Sequence, residues 1–528
     1  MTVGPLDSPQ DPCRCCSASF CSGARESGVS RREFLAGVGA VTASGLALAT
    51  LTATAADKPK EPSRLPPINI RLRVQPVLVY QLSTRRNATS WRPWGGLQTE
   101  EIAAQEKERI GRELAEMASA ADFPLEILPL VTAKNAEQAT AVANGRHDVT
   151  LIYAASSGGN VLEALTAPDK WALIFVRHRS GPVYLWYEIA HPHFLRKAVD
   201  QYGQPGMDVQ DVVVDSHAEI LWRLKALHGL RNTLGKRIVA VGGPGGWGAG
   251  GQTAPDICRK QWKMDIRDVS YDELGNRIKL ARNNEPLVKR CQEQAKKYLK
   301  QRGVSLYTTE DFVARAFLLN EIFKDLLEAA QTDAITINHC MGTIMPISET
   351  TACLPLSLLN DEGYLAFCES DFVVIPSGIL LHYISDKPVF LNDPTYPYNG
   401  VVTLAHCTAP RKMDGEHYEK AKIMTHFESD YGAAPKVEMK KGQRITVLNP
   451  DFANRRWLGF EGEIIDSPFY DICRSQIDVQ INGDCDKLLE EMKGFHWMVS
   501  YGNYLRETGY ALKRVGINWL NLTRPQQA

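Results

Sequence analysis

Strand-like and helix-like segments alternate along the first two thirds of this chain, and the alternation limits the folds open to it. Apolar runs rich in β-branched residues occupy 70–80, 149–153 and 171–176, and a stretch with helical spacing occupies 100–121. Strands that alternate with helices form a parallel sheet covered by those helices. Residues 68–205 are therefore predicted to form an N-terminal α/β domain.

The same alternation then repeats. Helical spacing at 218–228 and across 271–302 accompanies two apolar strand-like runs, at 237–241 and 334–338. This second cycle predicts a central α/β domain over 206–385. We expect the two domains to be Rossmann-like and to follow one another directly.

Beyond about residue 385 the pattern changes character. Short apolar runs such as 444–448 and 477–481 are interrupted by Pro, Gly and Asn, which is typical of antiparallel strands joined by turns. Residues 504–515 return to helical spacing. The stretch 386–528 is thus predicted to be a mostly antiparallel C-terminal domain.

The N-terminal segment resembles a twin-arginine export signal. Arg31 and Arg32 precede a weakly apolar run from Leu35 to Leu51, and the run closes on the small-x-small sequence Ala-Thr-Ala. As a membrane anchor this run is short and is diluted by Gly, Ser and Thr. We therefore expect residues 1–56 to be removed as a signal peptide.

Residues 57–67 are rich in Lys, Pro and Ser, a composition typical of a flexible linker between leader and folded body. The expected location is the periplasm, or otherwise outside the cytoplasm, with no stable membrane insertion after cleavage.

Since 60 Lys and Arg balance 61 Asp and Glu, no net field attracts a polyanion, and nucleic acid is not an expected partner.

The chain has 12 cysteines, and they indicate no framework. Four of them precede the apolar run and leave with the leader. The other eight, from Cys258 to Cys485, are widely spaced and contain no C-x-x-C pair, so neither a zinc ribbon nor a disulfide framework is indicated. Pairing of some of them after export stays open, because connectivity cannot be deduced from sequence.

Four residues in the last third of the chain are candidate metal ligands. Glu369 and Asp393 each follow or end an apolar strand-like run, and His406 and His496 lie farther along. Two carboxylates with one or two imidazoles suit Mn²⁺ or a similar divalent ion. Singly, such an acid is more often a turn former and such a histidine a hydrogen-bonded core residue, so the spacing by itself does not decide.

The sequence around these residues resembles the L-fucose isomerase family. ESDF, with Glu369, and FLND, with Asp393, are similar to the two segments that supply its Mn²⁺-binding Glu and Asp, and the separation of 24 positions is the same. GFHWMVSYG, with His496, resembles the segment that supplies the histidine ligand. TLAHC, with His406, resembles a segment of the related L-arabinose isomerases that supplies an additional histidine.

The resemblance implies two α/β domains and a C-terminal domain with a β-barrel-like core, assembled as a homo-oligomer. It also implies Mn²⁺ or another divalent cation, a monosaccharide substrate, and interconversion of aldose and ketose through a cis-enediolate. In that chemistry Glu369 and Asp393 would bind the cation and exchange the proton, with His496 and His406 as further ligands. Asp371 would orient the ligands from behind.

A glycine-rich segment at 242–251, GGPGGWGAGG, supports a different interpretation. Gly243, Gly245 and Gly248 match the G-x-G-x-x-G pattern of dinucleotide-binding turns, which would make the chain an exported NAD(P)-dependent oxidoreductase. Pro244 removes a backbone donor, and further glycines begin a helix poorly, so the match is weak. A non-catalytic sugar-binding protein of the same fold is the third hypothesis.

Overall fold

Six strands form the first sheet in the computed structural model, which describes residues 64–166, 170–195, 204 and 206–523. The order is β2-β1-β4-β5-β6, with β3 also paired to β1, and every pair is parallel. The strands are β1 (Leu72–Val79), β2 (Leu125–Ile127), β3 (Val131–Ala133), β4 (Val149–Ala154), β5 (Trp171–Val176) and β6 (Val212–Val214). The last of these lies beyond the range 68–205 predicted for the first domain.

Helices cover this sheet, as the alternating pattern predicts. They are α1 (Glu100–Ser119), α2 (Ala136–Ala143), α3 (Gly159–Leu165), α4 (Trp186–Ile189) and α5 (His217–Thr233). The side chain of Thr99 accepts a hydrogen bond from the backbone N–H of Ile102 and so caps the start of α1. All six residues of β4 are buried, as expected for a central strand with helices on both faces.

The second sheet is also parallel and has the order β11-β10-β7-β8. Its strands are β7 (Arg237–Val241), β8 (Asp265–Val269), β10 (Ala334–Ile337) and β11 (Leu365–Phe367). Its helices are α6 (Gly248–Gly251), α7 (Ala254–Gln261), α8 (Tyr271–Arg282), α9 (Glu285–Leu299), α10 (Glu310–Ala330), α11 (Met345–Ser348), α12 (Cys353–Asp361) and α13 (Ile375–Ser385). The carboxyl ends of β7, β10 and β11 therefore meet at one edge.

Six strands of the C-terminal region close into an antiparallel barrel in the order β16-β19-β12-β13-β18-β17, with β17 pairing back to β16. They are β12 (Phe390–Pro394), β13 (Val401–His406), β16 (Arg444–Pro450), β17 (Arg456–Asp466), β18 (Ser475–Ile481) and β19 (Trp497–Tyr501). A seventh strand, β20 (Asn518–Asn521), adds to β17 in parallel. The mixed α/β prediction with an antiparallel C-terminal region is confirmed.

A small sheet and two helices complete the C-terminal region. In the sheet, β14 (Lys420–Met424) pairs with β15 (Ala434–Glu438) and, in parallel, with β9 (Val304–Tyr307). Strand β9 comes from the part of the sequence that forms the second sheet and its helices. Two helices, α14 (Cys485–Glu491) and α15 (Leu505–Arg514), flank the last barrel strands. The barrel closes its own edges, which leaves fewer unpaired strands to aggregate.

Helix α13 packs against all three parts of the structure, and nearly all of its residues are buried. A Cβ at Gly229 of α5 would lie 2.4 Å from Ile384, so glycine permits α13 to approach α5 closely. A Cβ at Gly378 would lie 2.6 Å from both Met498 and Phe367, against the barrel and the second sheet. Gly378 thus lets α13 pack closely against both the second sheet and the barrel, the two parts that supply the site described below.

The predicted signal peptide at 1–56 lies outside the described residues, as do residues 57–63 of the predicted linker. From Arg64 onward the chain contacts the second sheet's helices, where the Arg64 guanidinium pairs with Glu321 at 2.9 Å. In the described part of the chain, no helix combines the length and the apolar sequence that crossing a membrane requires.

The glycine segment 242–251 forms a tight loop after β7. Gly242 has φ +78°, and a Cβ there would lie 2.1 Å from the Tyr271 hydroxyl. A Cβ at Gly246 would lie 2.1 Å from the carbonyl oxygen of Gly251, so the backbone at Gly246 touches the backbone at Gly251. This close approach requires glycine at 246 and 251, and the positive φ with the nearby Tyr271 requires it at 242.

Replacing Gly246 with alanine should open this loop. The added methyl group overlaps the Gly251 carbonyl, and overpacking of this kind costs about 1–3 kcal/mol. We expect Gly246→Ala to lower the denaturation midpoint in urea. Gly245→Ala is the matched control, because its Cβ would meet only ordinary contacts at 3.6 and 3.7 Å. Equal stability of the two variants would contradict the packing described for the loop.

Candidate metal centre

The carboxylates of Glu369 and Asp371 reach the site from the segment that follows β11. Glu369 and Ser370 both lie in the left-handed region, with φ of 64° and 46°, and so the chain turns sharply after Cys368. The glycine loop holds this turn, because the N–H of Gly245 donates to the Ser370 carbonyl at 3.2 Å. Non-glycine residues in this conformation cost about 1–3 kcal/mol each and cluster at functional sites.

Three more groups come from neighbouring barrel strands. Asp393 in β12 pairs with Ala405 of β13, so His406 is the next residue along. On the other side Asn392 pairs with Trp497 of β19, and His496 directly precedes that strand. The antiparallel register therefore brings Asp393, His406 and His496 to one end of the barrel.

The carboxylates and imidazoles meet at short distances. His496 Nε2 lies 3.2 Å from Asp393 Oδ1 and 3.4 Å from Glu369 Oε2. His406 Nε2 lies 3.5 Å from the other oxygen of Glu369. The donor atoms of Asp393, His406 and His496 all lie within 4.8 Å of one another. The structure thus brings together all four residues that the sequence predicts as ligands.

Hydrogen bonds fix both rings so that Nε2 faces the carboxylates. His496 Nδ1 lies 2.7 Å from Asp371 Oδ2, and a carboxylate can only accept, so Nδ1 carries the donated proton. His406 Nδ1 lies 3.0 Å from the Thr408 hydroxyl. A carboxylate behind a histidine is the arrangement that orients metal-binding imidazoles, and it is the contact expected of Asp371.

The inner atoms of this cluster lack hydrogen-bond partners. Asp393 Oδ1 and His496 Nε2 are both buried, and neither makes a hydrogen bond, although they lie 3.2 Å apart. Buried polar groups without partners are rare in folded proteins and need an explanation. A divalent cation among carboxylate oxygens and an imidazole nitrogen satisfies these atoms, and the donor set fits Mn²⁺ or a similar ion.

Without a cation, protons balance the charge. Burial disfavours ionisation of Glu369, but the imidazoles of His406 and His496, at 3.5 and 3.4 Å from its oxygens, outweigh burial and hold the pKa of Glu369 well below its usual value. Burial likewise disfavours charge on the two imidazoles, yet the surrounding carboxylates raise the pKa of both. The pKa of His496 is raised well above its ordinary value.

The two carboxylates are partly exposed to solvent, whereas the two imidazoles are buried. The side chains of Glu369 and Asp393 are 33% and 31% exposed, whereas those of His406 and His496 are 4% and 0% exposed. A ligand entering from solvent therefore meets the two carboxylates, while the imidazoles hold the inner side. This is the placement expected if Glu369 and Asp393 contact a substrate as well as a metal.

An aromatic pair lies beside the carboxylates. The Trp247 indole N–H donates to Glu369 Oε2, and the Trp247 ring stacks on Phe495 with centroids 4.4 Å apart. Phe495 is 46% exposed. Sequence reasoning assigned no site role to either residue. The available signals were the position of Trp247 inside the glycine segment and of Phe495 directly before His496.

Cys368 is a further neighbour that sequence reasoning did not single out. Its sulfur lies within 4.8 Å of donor atoms of Glu369 and His406. Because Cys368 directly precedes Glu369, its position follows from the same sharp turn.

Comparisons with known proteins give no relative for this site, since neither a family model nor a curated protein matches the chain.

Removing either carboxylate should abolish tight metal binding. We expect Glu369→Gln and Asp393→Asn to weaken Mn²⁺ binding about 100-fold or more, and Asp371→Asn to weaken it about 10–100-fold through misorientation of His496. Metal content after dialysis and titration calorimetry measure the effect. Asp478→Asn is the matched control, since this barrel carboxylate binds Thr403 outside the site. Stoichiometric metal in both ligand variants would refute the assignment.

Metal binding should also release protons. The surrounding carboxylates raise the pKa of His496, which favours its protonated form, so a cation that takes Nε2 displaces a proton. Falling pH increases this competition and weakens binding, whereas pH above the raised pKa removes it. Calorimetric titration of Mn²⁺ in two buffers of different ionisation enthalpy counts the protons. Identical heats in the two buffers near neutral pH would contradict this account.

Proposed function

We propose that this protein is a metal-dependent aldose-ketose isomerase of the L-fucose and L-arabinose isomerase type. One observation carries the proposal: two partly exposed carboxylates and two buried imidazoles converge with their donor atoms inward. The two parallel sheets would be the Rossmann-like domains of that family, and the barrel its C-terminal domain. A homo-oligomeric assembly and an exported location belong to the same proposal.

The proposed reaction needs a proton to move between C1 and C2 of an open-chain sugar. A bound divalent cation would polarise the carbonyl and stabilise negative charge on the neighbouring oxygens. Glu369 and Asp393 are the groups that can accept the proton from one carbon and return it to the other, because their side chains are the exposed ones. Asp371 and Thr408 hold the imidazoles in place during this exchange.

The surroundings of Glu369 support a positioned rather than a mobile carboxylate. One oxygen receives the Trp247 N–H and lies 3.4 Å from His496, and the other lies 3.5 Å from His406. A catalytic group held in this way loses less freedom when the substrate binds. The stacked faces of Trp247 and Phe495 supply the apolar wall that small-molecule sites combine with a few polar groups.

The position of the glycine segment favours the oxidoreductase alternative, because the segment follows β7 at the carboxyl edge of a parallel sheet. Two features weigh against a dinucleotide there. The helix that follows, α6, has only four residues, and Trp247 from the segment is bonded to Glu369. These contacts give the loop a role in the carboxylate site instead.

Titration with NAD(H) and NADP(H), followed by protein fluorescence, tests that alternative. We expect no saturable binding in the micromolar range, because the four-residue helix α6 is too short to present the helix N-terminus that binds a dinucleotide phosphate. The variant Gly245→Ala serves as a comparison, since it adds a methyl group to the loop without a clash. Saturable binding that this methyl group weakens would shift the assignment to an oxidoreductase.

The isomerase activity itself is tested by incubating aldoses in D₂O with Mn²⁺. L-fucose, D-arabinose and L-arabinose come first, and we expect ketose with deuterium at the carbon that receives the proton, to the extent that the base exchanges with solvent. Glu369→Gln and Asp393→Asn should lower kcat about 100-fold or more, while His406→Ala should have a smaller effect than His496→Ala. A chain that binds metal but converts no member of a broad aldose panel would be a sugar-binding protein instead.

A further inference from the structure

Three cysteines from distant parts of the sequence form one buried cluster, which we call the Cys407 cluster. Cys353 begins α12, Cys407 directly follows β13, and Cys473 lies two residues before β18. They pack together with Ala434. The sequence gives no hint of this, because their spacing matches no metal or disulfide motif.

Cys407 is the centre of the cluster. Its sulfur is in hydrogen-bonding contact with the thiols of Cys353 and Cys473 and with His426. The backbone N–H of Arg474 also donates to Cys407 Sγ, at 3.4 Å. Two thiols are thus in direct reach of a third.

The barrel register holds the backbones of Cys407 and Cys473 close together. His406 pairs with Ser475 at the end of the antiparallel ladder between β13 and β18, so Cys407 lies one residue after this pair and Cys473 lies two residues before it. The two cysteines are therefore neighbours across the end of the ladder, although they do not pair in it. Cys473 packs against Cys353 and Cys407 inside the cluster, and a disulfide needs Cα atoms about 4.4–6.8 Å apart.

The arrangement differs from a closed thiolate shell around a metal. Among the described residues, the groups with all donor atoms within 4.8 Å of one another do not include any three of Cys353, Cys407, Cys473 and His426. Instead, Cys353, Cys473 and His426 each contact Cys407. A tetrahedral metal site requires its ligands around one shared centre.

We propose that Cys407 and Cys473 form a disulfide bond, and that Cys353 can replace Cys473 as the partner of Cys407 by thiol–disulfide exchange. Cys473 is the entry point for an oxidant because it is partly exposed, whereas Cys407 and Cys353 are 2% and 4% exposed. The bond ties β13 to the segment before β18 at the residue next to His406, which stiffens that end of the barrel.

The oxidant is a small disulfide, and the reaction balances. The sulfur of Cys473 attacks the small disulfide, its proton passes to the departing sulfur, and one thiol is released, which gives a mixed disulfide on Cys473. The sulfur of Cys407 then attacks Cys473, forms the protein bond and releases the second thiol. Both protein thiols are oxidised, the small disulfide is reduced to two thiols, and the two protons leave with them.

The experiment uses the full chain incubated with oxidised glutathione, blocked with an alkylating agent and digested without reductant. Mass spectrometry should find the peptides of Cys407 and Cys473 joined, and the joined species should disappear on reduction. In Cys473→Ser the bond should move to Cys353 and Cys407. Cys485→Ser, which changes a partly exposed cysteine outside the cluster, should leave the Cys407–Cys473 bond intact.

The joined peptides are read from the unmodified chain, so the test does not depend on whether a variant folds. Cys407 that stays reduced and is alkylated only after denaturation would overturn the proposal. Stoichiometric zinc that protects Cys353, Cys407 and Cys473 from alkylation together would also overturn it, in favour of a thiolate metal site. None of these results depends on isomerase activity.

Discussion

The site depends on the contact of two carboxylates with one imidazole nitrogen. Asp393 and Glu369 lie 3.2 and 3.4 Å from His496 Nε2, and Asp371 already occupies the other nitrogen of that ring. Three acidic groups around one buried ring require positive charge, since unbalanced buried charge is costly. A proton satisfies this need only in part, because Nε2 has no hydrogen bond of good geometry. A divalent cation would satisfy it, which is why we propose that the cluster is a metal centre.

The same site joins two separate parts of the fold. Glu369 and Asp371 follow a parallel strand, whereas Asp393, His406 and His496 belong to the antiparallel barrel. Helix α13 connects these parts, and Gly378 lets it approach Phe367 of the second sheet and Met498 of the barrel closely. A strained turn at Glu369 persists because the glycine loop holds it from one side and the barrel from the other. Metal binding would therefore stabilise the contact between the parts as well as the ligands.

Much of the local structure follows from the sequence, since hydrophobic periodicity is a local property. The predicted strands at 171–176 and 237–241 match β5 and β7, and the predicted helices at 100–121 and 504–515 match α1 and α15 within a few residues. The candidate ligands were predicted from the resemblance of their segments to known sugar isomerases, because the apolar runs beside Glu369 and Asp393 do not decide the role of these residues by themselves. Pairing between distant segments was not accessible: β9 joins β14 across more than a hundred residues, and no periodicity encodes that partnership.

The same limit explains the other residues that sequence reasoning missed. Trp247 reaches Glu369, and Cys353 reaches Cys407, only because strand register and loop closure bring them together. The central claim, one divalent cation held by Glu369, Asp393 and His496, is tested most directly by anomalous diffraction from crystals soaked in Mn²⁺. We expect one peak per chain about 2 Å from atoms of all three residues. An ordered site without a peak, or a peak held by other residues, would contradict the account.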